Sequence, residues 1–394
     1  MSEAIVRIAA RGDGVTASGR YAALAAPGDL LRDDGSVEPG PNHQDPPCRH
    51  FPECGGCQLQ HVTDDAYRTY LKDRVAGALA QHGLETDVRA PHLSPPRSRR
   101  RATLRAINAG RNVIIGFNAA RSRRIVDMHE CHILRPELFA LVEPLRGLLG
   151  GPLRVPGVAE IRLTLTDQGA DLLLSDVSAE GLEAAEALPR FGDSHGLARI
   201  SLDDGFGTES RYEPVPVTVT LSGVPVVLPI GAFLQATHDG EEALVEAVRQ
   251  AVGDSRRTAD LFAGIGTFGL ALEGQVVAAE ASRDAVLTLQ MAARRAGRTL
   301  TAEHRDLYRR PYDAKELAAF DGVVLDPPRA GAEEQVRQLA ASAVPRIAYV
   351  SCNPATFGRD AEILSQGGYL LDWARPVGQF RWSTHVELAA AFSR

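Results

Sequence analysis

The sequence predicts an α/β protein whose C-terminal part, residues 230–394, folds as a doubly wound sheet. Two observations support this prediction. After Pro229, short apolar runs alternate with helix-like stretches, and the runs lie at residues 258–262, 275–280, 322–325, 346–351 and 386–392. Such alternation is typical of parallel strands joined by crossover helices. Several of the runs end in polar, turn-forming residues, at the sheet edge where open α/β folds bind ligands.

The remaining chain predicts two further units, because 394 residues exceed one ordinary hydrophobic core. Residues 1–40 are rich in Gly, Ala and Asp and contain two short β-like runs, so we expect a small β segment. Residues 41–229 begin with closely spaced cysteines and a helical pattern over 63–82. Short β-like runs and a helix near 179–188 follow, which predicts an α+β middle domain.

The composition, with 44% hydrophobic and 24% charged residues, is that of a globular protein. Because no apolar run has the length of a membrane span and the N-terminus lacks a signal-peptide pattern, we expect a cytoplasmic protein without a membrane partner. The net charge of −7 argues weakly against nucleic acid. However, the stretch from Arg97 to Arg124 contains nine Arg and no Asp or Glu, which favours a phosphate-binding surface over an ordinary solvated face.

Cys352 stands between an apolar run at residues 347–350 and a turn at Asn353 and Pro354. Thr356 is placed to cap the helix that begins after the turn. Amide groups at the start of that helix would favour a thiolate and lower the pKa of the Cys352 thiol. A small buried cysteine is the alternative, but the polar, turn-forming neighbours favour a candidate nucleophile.

Three of the five cysteines, Cys48, Cys54 and Cys57, are closely spaced, and two glycines separate the last two. The glycines let the backbone wrap closely around an ion or a cluster. A fourth thiol is available at Cys131, and four thiolates suit zinc or an iron–sulfur cluster. Zinc sites usually contain two Cys-x-x-Cys pairs, and only one is present here. The spacing therefore favours an iron–sulfur cluster over zinc or over cysteines without a ligand.

The run from Asp260 to Phe268 predicts a strand, a glycine turn at Gly264 and Gly266, and a helix. Glycines at this place let the backbone approach a nucleotide-like ligand, although a purely structural turn would also explain them. Glu280 ends the next predicted strand, where a carboxylate can accept hydrogen bonds from ribose hydroxyls. No third glycine completes the dinucleotide pattern, so S-adenosylmethionine is favoured over NAD.

Two further acids lie at predicted strand ends. Asp326 follows the run at 322–325 and faces the same crevice as Cys352. An ionised Asp326 could accept the imino hydrogen of uracil and would reject neutral cytosine, which lacks that hydrogen; helix capping is its alternative role. Glu387 enters the apolar run at 388–392, where a buried acid is costly and often functional, although a surface position would also explain it.

Three segments together resemble the catalytic signatures of the RNA uracil-5-methyltransferase family: Ser-Cys-Asn-Pro at 351–354, Asp-Pro-Pro-Arg at 326–329 and His-Val-Glu at 385–387. The resemblance extends over nearly the whole chain. It implies a Rossmann-like class I methyltransferase domain at 230–394. It further implies that Cys352 is the nucleophile and that Glu387 is the base that removes the proton from carbon 5 of uracil. Asp326 matches a residue that faces both the target base and the cofactor.

The resemblance also implies S-adenosylmethionine as the cofactor. Phe-Leu-Gln at 233–235 is similar to the family's Phe-x-Gln segment, with Phe233 toward the substrate and Gln235 toward the cofactor. Thr237 and Met291 stand where Asn is common in the family. The other implied cofactor contacts are Phe262, Gly264, Thr267, Glu280, Asp306 and Asp326.

The spacing of Cys48, Cys54, Cys57 and Cys131 is similar to the [4Fe–4S] site of the ribosomal-RNA branch of this family. The resemblance makes residues 1–40 a shortened TRAM domain and residues 41–229 an iron–sulfur-binding and RNA-binding region. The implied partner is RNA, with 23S rRNA as the substrate and tRNA as the alternative. We expect a monomer.

The implied mechanism begins with a uridine that leaves its stack and reaches the sheet edge. The Cys352 thiolate adds to carbon 6, carbon 5 takes the methyl group, and Glu387 removes the carbon-5 proton before the thiolate leaves. Two alternatives stay open. A cytosine-5 methyltransferase uses the same addition but places a Cys after a Pro, where this chain has Pro328 and Arg329. A non-catalytic iron–sulfur protein could bind RNA without methyl transfer.

Overall fold

The computed structural model describes residues 2–110 and 112–394, which form three sheets and a separate hairpin. The N-terminal sheet consists of β1 Glu3–Ile8, β2 Gly14–Thr16, β3 Tyr21–Ala22, β4 Leu30–Leu31 and β5 Val37–Glu38. Its strand order is β3-β2-β1-β4-β5, and all pairings are antiparallel. The predicted β segment is confirmed, but it has five strands rather than two. Three of them are only two residues long, which is too short to show a periodicity.

An irregular segment that carries three cysteines connects this sheet to helix α1 (Asp64–Ala80). Tyr67, Leu71, Val75 and Leu79 are buried on one face of α1, as the helical pattern predicts. They belong to a hydrophobic core that also contains strands from the C-terminal part of the chain. The helix therefore joins the N-terminal region to the C-terminal sheet.

The second sheet lies in the middle of the chain. Its region contains β6 Asp87–Val88, β7 His92–Leu93, β8 Arg101–Ala109, β9 Asn112–Gly116, α2 Pro136–Phe139, α3 Val142–Gly150, β10 Val158–Thr166, β11 Gly169–Ser175, α4 Gly181–His195, β12 Leu197–Asp203 and β13 Thr208–Tyr212. Six of the strands pair in the order β13-β12-β11-β10-β8-β9. Strands β11 and β12, joined by α4, are parallel, and the other neighbours are antiparallel. This is the predicted α+β arrangement.

The third sheet is the predicted doubly wound sheet. The remaining elements are β14 Thr218–Leu221, β15 Val224–Val227, α5 His238–Val252, β16 Arg257–Leu261, β17 Gln275–Glu280, α6 Arg283–Arg295, β18 Leu300–His304, α7 Ala314–Leu317, β19 Gly322–Leu325, α8 Glu333–Ala340, β20 Arg346–Ser351, α9 Pro354–Gln366, β21 Leu370–Gly378 and β22 Glu387–Ser393. The sheet order is β18-β17-β16-β19-β20-β22-β21-β6, and β7 also pairs with β21. Strands β16 to β20 are parallel, and β22 is antiparallel to both neighbours. Because β16 lies between β17 and β19, a crevice opens at its carboxyl end.

The strands of this sheet are buried on both faces. Val323 and Leu325 point into the core that contains α1, whereas Val324 points into a second core shared with α5 and α6. Val219 and Val226 of the β14–β15 hairpin also belong to the second core. The hairpin therefore packs against the C-terminal sheet although it precedes residue 230. The domain boundary at residue 230 stays a prediction.

Two local predictions are wrong. A short 3₁₀ turn, Gly269–Ala271, follows the glycine turn after β16, where the sequence predicts a helix. Helix α9 begins at Pro354 and is capped by Asn353 rather than by Thr356. Because the proline occupies the first helical position, Thr356 falls inside the first turn, where its hydroxyl donates to the Asn353 carbonyl. Across the described ranges, no helix is both long and apolar enough to cross a membrane.

Candidate active site

Cys352 and Glu387 lie opposite each other at the edge of the C-terminal sheet. Strand β20 ends at Ser351, which pairs with Leu388 of the antiparallel strand β22. Cys352 follows Ser351 and Glu387 precedes Leu388, so the register brings the two positions together. Both residues line the same cleft. The strand pairing thus places a thiol and a carboxyl group at one site.

The carboxyl groups of this site are poorly solvated. Glu387 is 5% exposed, and burial raises its pKa from 4.5 to about 7. A hydrogen bond from the Gln379 side chain and the charge of Arg101 act in the opposite direction. Burial, and then the charge of Glu387, raise the pKa of Asp326 well above its usual range. A raised pKa favours a protonated Asp326, whereas the uracil contact predicted from the sequence uses the ionised form.

The environment of Cys352 favours the thiol. Burial raises the pKa of the Cys352 thiol, the carboxyl groups of Glu387 and Asp326 raise it further, and the charge of Arg329 lowers it. The prediction that helix amides lower this pKa is therefore wrong. The amide of Ala355 at the start of α9 is bound by the capping side chain, and two acids lie nearby. Nucleophilic attack requires removal of the thiol proton.

The cleft that contains Cys352 has a volume of about 840 Å³. Residues of β8, β10 and β11 from the middle sheet line it together with the edge of the C-terminal sheet. Phe233 is 58% exposed at its wall, and the Arg101 guanidinium lies 4.3 Å from the centroid of the Phe233 ring. Arg99 lies 5.4 Å from the centroid of the Phe380 ring. Pockets for one small molecule have roughly 300–1,000 Å³, so the cleft has room for one such ligand.

The acids assigned to the cofactor lie at the carboxyl ends of neighbouring strands. Glu280 ends β17, and its carboxylate accepts hydrogen bonds from the amides of Gly264 at 3.0 Å and Ser282 at 2.7 Å. Gly264 has a φ of +55°, which suits glycine. Asp306 follows β18 and accepts a hydrogen bond from the Tyr308 amide at 3.0 Å. Backbone amides thus hold both carboxylates at the sheet edge.

Phe262, Thr267 and Gln235 complete the predicted cofactor set. Phe262 follows β16 with a φ of +65°, which is uncommon for a large side chain and marks functional turns. Its ring centroid lies 5.5 Å from that of Tyr308. Thr267 is partly exposed in the same turn. Gln235 is buried before α5, and its side-chain oxygen accepts a hydrogen bond from Gln379.

Four cysteines line one small cavity of about 20 Å³: Cys48, Cys54, Cys57 and Cys131. Phe117, Met128 and Ile133 add apolar surface to its wall. All four thiols are free, and burial raises the pKa of each, that of Cys57 to about 12. Within residues 2–110 and 112–394, no three His, Cys, Asp or Glu side chains form a group that could hold a metal ion.

The arginines between Arg97 and Arg124 do not form one free basic surface. Three of them pair with acids from distant parts of the chain: Arg100 with Glu241, Arg105 with Glu160, and Arg124 with Glu53. Tertiary folding thus supplies acids that the local sequence lacks, and the predicted phosphate-binding surface stays a prediction. Arg111 of this stretch lies outside the described residues. Arg121 keeps 72% of its side chain exposed.

A second groove, of about 970 Å³, shares lining residues with the cleft and reaches the N-terminal sheet region. We name it the basic groove after the arginines that line it: Arg11, Arg74, Arg105, Arg121 and Arg329. Asp13 is an acid in the same lining and lies 3.7 Å from Arg121. The groove and the cleft meet at Arg329 and His385.

Sequence reasoning missed two side chains that act on Glu387, namely Arg101 and Gln379. Arg101 was one member of an arginine-rich stretch, and Gln379 belonged to no motif. A polar residue just after β21, next to a buried acid on the paired strand, is the signal that could have identified Gln379.

The fold and the site define the class of protein. The sheet order, with β22 inserted antiparallel between β20 and β21, is that of a class I methyltransferase. The solved structure of Pyrococcus abyssi tRNA (uracil-54, C5)-methyltransferase in complex with S-adenosyl-L-homocysteine is similar with a TM-score of 0.74 and 23% identity, over 100% of both chains. At this identity the likeness establishes the fold.

Sequence comparisons establish the family. Residues 230–394 match the tRNA (uracil-5-)-methyltransferase family model. An uncharacterized RNA methyltransferase of Zymomonas mobilis is 49% identical over 393 residues, which cover 99% of each chain. The 23S rRNA (uracil(1939)-C(5))-methyltransferase RlmD of Halomonas elongata is 32% identical over 366 residues, 87% of this chain and 75% of that one. The chain belongs to the family of S-adenosylmethionine-dependent RNA (uracil-5-)-methyltransferases, which confirms the predicted family, fold class and enzyme type.

Proposed function

We propose that this enzyme methylates carbon 5 of a uridine in 23S rRNA through a covalent bond between Cys352 and the uracil. The observation that supports this proposal most strongly is that Cys352 and Glu387 lie opposite each other across the paired strands β20 and β22. A nucleophile for carbon 6 and a base for the proton on carbon 5 must reach adjacent atoms of one ring. Similarity to the Halomonas elongata enzyme supports rRNA as the substrate.

Cys352 carries out the first chemical step. After its thiol gives its proton to water in the open cleft, the sulfur bonds to carbon 6, and the electron pair of the ring double bond moves toward carbon 5 and the adjacent carbonyl. The positive charge of Arg329 favours the thiolate in this step. Bound S-adenosylmethionine supplies the methyl group that bonds to carbon 5.

Glu387 carries out the second step. Its carboxylate takes the proton from carbon 5, the electron pair restores the ring double bond, and the bond between sulfur and carbon 6 breaks. The Cys352 thiolate is thereby released, and one proton leaves on Glu387. The Glu387 pKa of about 7 suits a general base near neutral pH.

Asp326 recognises the uracil while the carboxyl group of Asp326 is protonated. A protonated carboxyl group donates a hydrogen bond to the carbonyl oxygen on carbon 4, where negative charge develops after the attack of Cys352. The raised pKa of Asp326 supports this role in place of the ionised acceptor.

The cofactor would lie at the carboxyl ends of β16 to β19. Glu280 would accept hydrogen bonds from the ribose hydroxyls, and the turn at Gly264 would let the backbone approach the ligand closely. The remaining proposed contacts are Gln235, Phe262, Thr267, Asp306 and Asp326. Phe233 would face the substrate beside the Arg101 guanidinium.

We further infer that Cys48, Cys54, Cys57 and Cys131 hold a [4Fe–4S] cluster. Four thiols, two buried and two half-buried, line one apolar cavity and fit such a group, because thiolates are its ligands. A single zinc ion requires sulfurs converging to about 2.3 Å from one point. Zinc sites usually contain two Cys-x-x-Cys pairs, and this chain has one, so we assign the cluster rather than zinc.

Two neighbours of the cysteines support the cluster. The charge of Arg99, which is largely buried, acts on Cys57 and Cys131 and would offset the negative charge of a thiolate-bound cluster. A Cβ atom on Gly56 would lie 3.2 Å from the Phe117 ring, so only glycine leaves the wall of the cavity undisturbed. No acid–base group of the active site lies in the cavity, so we assign the cluster a structural role. It would tie the loop before α1, which carries three of the cysteines, to the segment before α2, which carries Cys131.

The basic groove would hold the RNA backbone. Its arginines meet the cleft at Arg329, so a strand in the groove could turn one uridine out of its stack toward Cys352. The expected cytoplasmic location and monomeric state stay predictions.

The target is tested by mass spectrometry of RNA from a strain that lacks the gene. We expect one 5-methyluridine to disappear from 23S rRNA and to return when the gene is restored. Loss of 5-methyluridine from tRNA alone would show that the target is tRNA and not rRNA. An unchanged 5-methyluridine content in both RNAs would contradict the proposed function.

A further inference from the structure

Gln379 lies between the proposed base and a proposed cofactor contact, and its side chain is 1% exposed. Its side-chain oxygen accepts a hydrogen bond from the amide of Ala236 at 2.8 Å. Its side-chain nitrogen donates to the side-chain oxygen of Gln235 at 2.8 Å. Glu387 lies on the adjacent strand opposite Val377, and the Gln379 side chain lowers the pKa of its carboxyl group. Because a backbone amide can only donate, the orientation of the Gln379 amide is determined.

We propose that Gln379 is a positioning residue that holds the Glu387 carboxylate and the Gln235 amide in fixed orientations. One buried side chain would then align the base and the cofactor contact with each other. The inference rests on the proposed function, because it assigns no contact between Gln379 and the substrate.

The strand register and a glycine make room for this arrangement. Val377 of β21 pairs with Glu387, so Gln379 lies just beyond the residue that faces the base. At the start of α5, a Cβ atom on residue 240 would lie 2.8 Å from the Cβ atom of Gln379. Gly240 therefore lets α5 approach closely enough for Ala236 to bind the Gln379 side chain.

The hydrogen bond between the two glutamines determines what Gln235 can offer a ligand. Since the Gln235 side-chain oxygen is bound to Gln379, the amide nitrogen of Gln235 is the group that remains for the cofactor. This nitrogen can donate only to an acceptor. Loss of Gln379 would let the Gln235 amide rotate and present either atom.

The same side chain stabilises the ionised form of Glu387. Besides Gln379, the groups that act on this site are Arg101 from β8, which favours the carboxylate, and Asp326 and Cys352, whose ionised forms disfavour it. The Arg101 Nε atom is buried without a hydrogen-bond partner in the described structure. Gln379 is thus an oriented neutral donor whose removal would make Glu387 harder to ionise.

The test compares Gln379→Met with Gln335→Met in the full enzyme. Methionine keeps a similar length but removes the donor. Gln335 is a matched control, because it is equally buried and binds the backbone of Tyr312 away from the site. Single-turnover methylation of RNA is measured from pH 5.5 to 9, together with the affinity for S-adenosylmethionine and adduct formation with 5-fluorouridine RNA.

We expect the rate profile of Gln379→Met to move to higher pH, with product release about tenfold slower at pH 6, the effect of one charge-assisted hydrogen bond. Cofactor affinity should fall several-fold, whereas adduct formation at saturating cofactor should persist because it precedes the action of the base. Gln335→Met should keep the pH profile and cofactor affinity of the unmodified enzyme.

A folded Gln379→Met protein with an unchanged pH profile would overturn the inference. If that variant does not fold, Gln379→Glu replaces it, since this change keeps the shape of the side chain and adds a like charge that should move the profile further upward. If the pH profile of Gln379→Glu matched that of the unmodified enzyme, the inference would likewise be overturned. Absence of the 5-fluorouridine adduct in the unmodified enzyme would instead contradict the proposed function.

Discussion

Cys352 and Glu387 occupy matching positions of the antiparallel strands β20 and β22, because Ser351 pairs with Leu388. A slip of one residue would turn the Glu387 side chain to the other face of the sheet. The pairing register of the last strand is therefore part of the active-site geometry. It gives one uracil ring access to a nucleophile and a base at once.

Glu387→Gln should trap the enzyme on its RNA. The variant can still attack carbon 6 and accept the methyl group on carbon 5, but the thiolate cannot leave until the carbon-5 proton is removed. A covalent complex should accumulate on denaturing gels with unmodified RNA. Glu186→Gln, on the exposed face of α4, is the control and should turn over normally. Normal turnover by Glu387→Gln would show that another group is the base.

Glu387→Gln should also stabilise the free protein at alkaline pH. The folded pKa of Glu387 is about 7 against an ordinary 4.5, so its ionisation destabilises the folded state as pH rises from about 4.5 to 7. The variant should gain roughly 3 kcal/mol in the free energy of unfolding at pH 8, the equivalent of the difference between these pKa values, and much less at pH 5. Urea unfolding at both pH values measures this. A gain that is equal at both pH values would contradict the assigned cause.

Loss of one cluster ligand should release iron but leave the methyltransferase domain folded. Anaerobically purified enzyme should be brown and contain about four irons per chain. Cys131→Ser should lose this iron and still bind S-adenosylmethionine, because its cavity is separate from the cofactor residues. Cys352→Ser is the matched control and should keep the iron. Colourless anaerobic protein with one bound zinc would contradict the cluster.

The basic groove should contribute to RNA binding through charge. Arg121→Ala should weaken binding to all RNA sequences alike and reduce the slope of log affinity against log salt by about 1, because one phosphate contact is lost. Arg190→Ala, on the outer helix α4 and paired with Glu186, should leave the slope unchanged. Equal slopes for Arg121→Ala and the unmodified enzyme would place the RNA elsewhere.

Much of the catalytic sheet was predictable because its central strands are continuous apolar runs. Strands β17, β19 and β20 lie where the sequence predicts them. Strands β18 and β21 were not anticipated, since polar residues such as Glu303 and Arg375 interrupt their pattern. The two-residue strands of the N-terminal sheet depend on pairing partners that local periodicity cannot reveal.

Electrostatics was the part that local sequence could not predict. The pKa of Cys352 depends on Glu387 and Asp326, which are distant in sequence and come close only through the sheet. The acid partner of Arg100 likewise lies on α5. Residue types at strand ends therefore indicated the site, whereas its protonation depends on tertiary packing.

The most direct test of the central claim is a covalent adduct between the enzyme and 5-fluorouridine RNA in the presence of S-adenosylmethionine. Fluorine on carbon 5 cannot be removed as a proton, so the proposed reaction should stop with Cys352 bonded to carbon 6 and one methyl group on carbon 5. Intact mass spectrometry and peptide mapping should locate the bond at Cys352. Cys352→Ala should still bind the cofactor but form no adduct and no methylated RNA. Methylation by Cys352→Ala, or an adduct at another residue, would contradict the account.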